Sequence, residues 1–326
     1  MEVAGNSKNF DVRGFIRKYD EPVFKRHRDV YSRFGIRPKI VSLLTCDDPG
    51  SISYVRGIRR FATEQGVLFE NFDVGSREDL EKSINALNDD PEVHGIIVLY
   101  PSCFDVRDTY FMNLVAEYKD VEGLTFGHLG YLVQFEKFSD PQKLRRLIIP
   151  PTPKGILYLF KRSALDFEEA RERDGRYPEG FKENPFHIEG KRITIINDSL
   201  AVGRSMALMF LNENGSVRVC QEYTAFSDIL EFVRSSDYII SAVPSIGFLI
   251  PSEAVSKGAV VIDISFQGNF EYPAVFEKVF RIAPRWNLVE KGNRINDLTL
   301  YRLISNLYYL INRSLPDEIL LELGGK

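Results

Sequence analysis

The residues Asn197-Asp198-Ser199-Leu200-Ala201-Val202-Gly203-Arg204 form a turn between an apolar run, Arg192 to Asn197, and a segment of helical character, Ser199 to Asn212. A strand that feeds a helix through such a turn offers backbone N–H groups and the positive helix end to an anion, as a dinucleotide pyrophosphate requires. Of the G-x-G-x-x-G glycines the turn keeps Gly203, so an ordinary βα turn satisfies the same pattern. Glu222 lies about 20 residues beyond, where the end of the next strand sets a carboxylate near ribose hydroxyls. A solvated Glu is the plain alternative. Nearer the N-terminus, Tyr54 and Ile58 stand one helical turn apart and share a face. An aliphatic side chain exchanges no proton, and Arg56, Arg59 and Arg60 nearby stay protonated, so general acid–base chemistry is excluded at position 58.

The elements that must position these residues are two series of short apolar strands and helices. In the first, Lys39 to Leu44, Val67 to Val74 and Val93 to Leu99 read as strands. Asp48-Pro49-Gly50-Ser51 opens a helix to about Gln65, stopped by Gly66, and Ser76 with Asp79 caps a helix from Arg77 to Leu87. In the second, Arg192 to Asn197, Val217 to Cys220, Tyr238 to Val243 and Ala259 to Ile264 are strands, with Ser199 to Asn212 and Ala225 to Arg234 the helices between them. Continuously apolar strands alternating with helices predict parallel sheets covered on both faces. Thr152-Pro153 starts a helix from Lys154 to Lys161, and Leu298 to Ile311 is a final apolar helix. The polar stretch from Arg162 to Gly190 reads as partly helical, then as a surface excursion.

Composition narrows the function. The 326 residues suffice for two domains, and 44% hydrophobic with 27% charged residues is the balance of a soluble globular protein. Lys plus Arg (42) against Asp plus Glu (46) leaves a net charge of -4, which gives no footprint for nucleic acid or an anionic membrane. The apolar run Asp237 to Pro251 is too short and too interrupted for a membrane span, and the opening residues lack a secretory pattern. Cys46, Cys103 and Cys220 are too scattered for a disulfide scaffold, and the four histidines show no zinc spacing. A cytoplasmic protein without a metal is expected.

Six segments in order resemble the methylenetetrahydrofolate dehydrogenase/cyclohydrolase family: Ser51-Ile-Ser-Tyr54-Val55, Asp120-Val121-Glu122-Gly123, Pro150-Pro151-Thr152-Pro153-Lys154-Gly155, Ser199-Leu-Ala-Val202-Gly203-Arg204, Asp237 to Val243 and Lys257 to Asp263. The resemblance spans roughly Pro38 to Asn312. In bifunctional members a Lys four residues after the Tyr serves the cyclohydrolase step; Ile58 stands there here. With Val243-Pro244-Ser245, the Pro-Glu-Gly insertion before Lys191 and Leu99 in place of the usual Gln before Tyr100-Pro101, this is similar to the monofunctional NAD-dependent branch of fungi.

The resemblance implies an α/β folate-binding domain, residues 1–160 and 297–326, and a Rossmann-type NAD-binding domain, residues 161–296, with a cleft between them. It also implies a homodimer and a reduced folate as substrate. Asp120 is expected to accept the two adjacent pterin N–H groups, Tyr54 to stack on the folate, and Leu99, Pro101 and Thr299 to line its site. Asp198, Ser199, Val202, Gly203, Arg204, Glu222, Val243, Pro244 and Ile264 would hold NAD. Asp198 and Glu222 would repel a 2′-phosphate, with Arg204 directed to the pyrophosphate. Hydride loss from the bridging methylene leaves a cation spread over two nitrogens, so the dehydrogenase step needs orientation rather than an acid or base. The alternatives are a bifunctional enzyme with another residue replacing the Lys, and a folate- or nucleotide-binding regulator without catalysis.

Overall fold

The computed structural model describes residues 8–177 and 181–324, so the Pro-Glu-Gly insertion motif at 178–180 lies outside the described residues. The chain divides into two compact units. One comprises Arg17–Pro151 and the chain from Leu300 onward; the other comprises the residues up to Ile16 with Thr152–Thr299.

The first unit is built on three parallel strands, β1 (Lys39–Leu44), β2 (Leu68–Asp73) and β3 (Gly95–Val98), in the order β2-β1-β3. The apolar runs fill β1 and β3, which are buried, whereas β2 alternates at the sheet edge. Helix Pro49–Gln65 starts where Asp48 accepts the Ser51 amide at 2.7 Å and ends at Gly66, whose φ of 70° suits glycine. Ser76 caps helix Arg77–Asp89 through the Asp79 amide at 3.1 Å. The helices Glu21–Arg33, Asp108–Met112 and Phe126–Val133 went unread in the sequence. The long C-terminal helix, Ile295–Asn312, packs Tyr301 and Tyr308 on Phe24, and its Asn306 donates to the Val121 and Ile149 carbonyls at 2.8 and 2.9 Å; a short helix, Asp317–Glu322, follows it.

The second unit holds five parallel strands, β4 (Arg192–Ile196), β5 (Ser216–Cys220), β6 (Tyr238–Ser241), β7 (Val260–Asp263) and β8 (Arg281–Ala283), in the order β5-β4-β6-β7-β8. Strand β8 is too short to show a sequence period. The compact division differs from the expected boundaries at three places: residues 297–299 fall with the larger sheet, and two longer segments do so for a packing reason. Residues 8–10 run beside β8, with the Phe10 amide on Ile282 O at 3.0 Å and the Ile282 amide on Lys8 O at 2.9 Å. Helix Pro151–Asp174 sets Phe160 against Phe210 and Tyr238, so residues 152–160 join the larger sheet. Among the described residues no helix is long and apolar enough to cross a membrane.

Candidate active site

In the smaller sheet the chain leaves central β1 for β2 on one side and returns to β3 on the other, so a crevice opens at the C-terminal ends of β1 and β3. Tyr54 lies in the first turns of the helix after β1, and Tyr100 follows β3. The Ser51 hydroxyl donates to the Tyr100 carbonyl at 3.0 Å, tying the two strand ends together. Asp120 bridges to Ile96 of β3, which brings the Asp120–Gly123 turn to the same crevice.

The two acids of this turn have different surroundings. Asp120 Oδ1 accepts the Glu122 and Gly123 amides at 3.0 and 2.8 Å; Oδ2 accepts the Thr125 amide at 2.8 Å and lies 3.1 Å from His128 Nδ1. With the residue 4% exposed and its lone pairs engaged, Asp120 organises the turn and has no acceptor left for a pterin. The role expected of Asp120 is therefore corrected. Sequence reasoning missed Glu122. Burial above all, then the neighbouring Asp120 charge, pushes its carboxyl up to about 8, against a hydrogen bond from the Tyr54 phenol that pulls the other way. Burial, together with the Glu122 charge, holds the Tyr54 and Tyr100 phenols above their ordinary range. The signal was present in the second acid of Asp120-Val-Glu-Gly, but nothing local distinguishes a saturated carboxylate from a free one.

Other expected residues separate. Ile58 is 1% exposed and part of the core. Leu99 is buried and continues the ladder through its amide to Leu43 O at 3.0 Å; Pro101 is exposed. Thr299 Oγ1 lies 3.2 Å from Thr152 Oγ1, a pairing within the larger-sheet unit. One pair of cysteines does meet: Cys46 and Cys103, 57 residues apart, form a disulfide, because β1 and β3 are neighbours and each cysteine follows one of them. Cys220 remains free and buried.

The larger sheet repeats the switch at β4, with β5 on one side and β6 on the other. Asn197 governs the turn after β4. Its Oδ1 accepts the Ser199 and Gly203 amides, both at 3.0 Å, and its Nδ2 donates to Ala242 O at 2.9 Å beyond β6. Holding those amides widens Leu200–Arg204 into a π-type turn, and the α-helix starts only at Ser205. A Cβ on Gly203 would sit 1.8 Å from Asn197 O, so glycine is required by close approach. Arg204 Nε donates to Asp198 O at 2.8 Å, and its guanidinium lies 3.8 Å from the Asp198 carboxylate. Beyond β6, Asn269 accepts the Ser241 hydroxyl at 2.7 Å and the Val243 amide at 2.9 Å. At the end of β7, Asp263 accepts the Asn269 amide at 2.9 Å and the Tyr272 hydroxyl at 3.0 Å. These buried polar groups fix the loops carrying Val243, Pro244 and Ile264; Glu222 is exposed after β5. The glycine-tight turn fits a dinucleotide.

A parallel sheet with a glycine-tight βα turn at its switch point defines a nucleotide-binding α/β protein, here joined to a second unit with a buried-carboxyl crevice. Residues 11–122 match the catalytic-domain model of the tetrahydrofolate dehydrogenase/cyclohydrolase family, and residues 179–310 match its NAD(P)-binding domain. The chain is 32% identical over 284 residues to the bifunctional protein FolD of Exiguobacterium sp., covering 84% of this chain and 90% of that one. It is 30% identical over 305 residues to the NAD(+) methylenetetrahydrofolate dehydrogenase of Schizosaccharomyces pombe, covering 88% of each. Among solved structures, the bifunctional FolD of Campylobacter jejuni superposes with a TM-score of 0.73 at 26% identity, over 93% of this chain and 98% of that one. The chain belongs to the tetrahydrofolate dehydrogenase/cyclohydrolase family, as the order of its motifs predicted.

Proposed function

We propose that the chain oxidises 5,10-methylenetetrahydrofolate to 5,10-methenyltetrahydrofolate with NAD and lacks cyclohydrolase activity. The observation that carries this reading is the buried, aliphatic Ile58 one helical turn from Tyr54, at the lysine position of the family motif. In this reading Glu122, rather than Asp120, accepts the paired pterin N–H groups as a carboxylate, and Tyr54 orients both the ring and that carboxyl. Asp120 holds the turn that aims Glu122. The turn shaped by Asn197 and the loop at Val243-Pro244 would form the surface that holds NAD, which supplies the hydride acceptor when bound. Asp198 and Glu222 near the adenosine ribose favour NAD over NADP, because two acids repel a 2′-phosphate and one accepts from a free hydroxyl.

One observation supports a second reading. A carboxyl at about 8 beside Tyr54 can exchange a proton near neutral pH, so Glu122 could replace the missing Lys and restore hydrolysis. Feeding methenyltetrahydrofolate and following its chromophore separates the two: loss at the uncatalysed rate is expected, and enzyme-accelerated loss would overturn the monofunctional reading. Turnover of methylenetetrahydrofolate with NAD tests the dehydrogenase itself; binding without turnover would make the chain a regulator.

A further inference from the structure

Cys46 follows β1 and stands two residues before Asp48, the cap of the helix that carries Tyr54. Cys103 follows β3, two residues after Pro101. Their Cα atoms are 5.6 Å apart, within the span a disulfide bridges. Cys103 is exposed and Cys46 half-buried, so small thiols reach the pair. On the inner side the same two loops are joined by the Ser51 hydroxyl on Tyr100 O, and Ser102 is anchored by its amide on Asp108 Oδ1 at 2.8 Å. The covalent link therefore joins the loop that leads into the Tyr54 helix to the loop that follows Tyr100, and both phenols lie beside Glu122. Among exposed disulfides, those open to small thiols are the ones that exchange.

We infer that Cys46 and Cys103 are a reversible thiol–disulfide modification site that clasps the mouth of the substrate crevice, so that the oxidised chain holds its folate loops pre-formed and the reduced chain leaves them free. The inference rests on reading that crevice as the folate site. Reduction breaks the single S–S bond and leaves one proton on each sulfur; a small dithiol gives the two electrons and two protons and departs as its own disulfide. Oxidation reverses this with glutathione disulfide, which leaves as two thiols. Cys220 is no competitor, since burial pushes its thiol up to about 11 and keeps it from solvent.

The test equilibrates the full chain at graded ratios of glutathione disulfide to glutathione. Differential alkylation with peptide mass mapping reads the pair, hydrogen exchange reads segments 45–54 and 99–108, and steady-state kinetics reads both substrates. The linked Cys46–Cys103 peptides should appear in one step. Amides in both segments should then exchange at least about threefold more slowly, and the folate KM should fall about threefold with the NAD KM unmoved, as pre-organisation of one site predicts. Cys103→Ser should abolish all three responses. Absence of the linked peptides under oxidising conditions, or their presence with unaltered exchange, would overturn the proposal. So would an unchanged folate KM in an active, linked enzyme. A linked chain with slowed exchange but no folate turnover supports the clasp and removes instead the reading of the crevice as a folate site.

Discussion

The C-terminal ends of the two sheets solve a similar problem with opposite materials. At β1 and β3 the crevice is made of buried ionisable groups: Asp120 saturated by donors, Glu122 held partly protonated by burial, and two phenols above their ordinary range. At β4 and β6 the loops are fixed by neutral amides, Asn197 and Asn269, whose side-chain oxygens accept the Ser199, Gly203 and Val243 amides, while the ionisable residues Asp198, Arg204 and Glu222 keep contact with solvent. A desolvated charge gives a strong, pH-sensitive contact to a few donors. Backbone amides give a contact that no side-chain titration changes and that depends on a few tenths of an ångström of space. Burial decides which kind of site each sheet end can be.

The largest effect that sharpens this contrast should come from the two acids of one turn. Glu122→Gln removes a charge-assisted contact and turns an amide donor toward the pterin donors, so folate kcat/KM should fall by roughly a hundredfold, about 3 kcal/mol. Its stability should move the other way. The folded carboxyl titrates at about 8, above its unfolded value of 4.5, so the native state binds the extra proton and wild-type stability is lost as pH rises from 4.5 to 8. Glu122→Gln should therefore gain stability over wild type across that window. Asp120→Ala should instead lower Tm, since three backbone amides lose their acceptor at about 1–3 kcal/mol each if left dry. Unchanged Tm in Asp120→Ala together with wild-type folate kinetics in Glu122→Gln would return the anchor to Asp120.

Next is Gly203→Ala. The new methyl would meet a backbone oxygen that cannot rotate away, an overpacking cost of about 1–3 kcal/mol, or ten- to a hundredfold in NAD affinity. Folate binding followed by ligand fluorescence should be intact; its parallel loss would show that the two strand-end sites are not separable.

A smaller effect should appear in the pH profile. Pterin donors require the ionised carboxylate, so the folate KM should rise as pH falls below 8, by about tenfold per pH unit in the limit. The NAD KM should stay flat over the same range, because the turn at Asn197 and the loop at Val243 are fixed by neutral amides. A folate KM independent of pH between 6 and 9 would remove Glu122 from the contact.

The smallest concerns the half-buried acid in the turn after β4. Asp198→Arg should shift the NADP-to-NAD ratio of kcat/KM by about tenfold toward NADP, the modest size reflecting a solvated charge already near Arg204. An unaltered ratio would place Asp198 away from the ribose.

What the sequence determined by itself was local. The strand pattern placed β1–β7 to within a few residues, Asp48, Ser76 and Gly66 marked helix ends, and the ordered motifs marked the family, because caps, periods and turns are set by neighbours along the chain. The tertiary structure alone decided which acid of Asp120-Val-Glu-Gly is consumed by amides, that Arg204 faces Asp198, and that Cys46 meets Cys103. Lone pairs are allotted, carboxyls desolvated and thiols paired by strands and loops brought together from distant parts of the chain. A residue's type states what chemistry it can do; its packing partners determine whether the required atoms are still available.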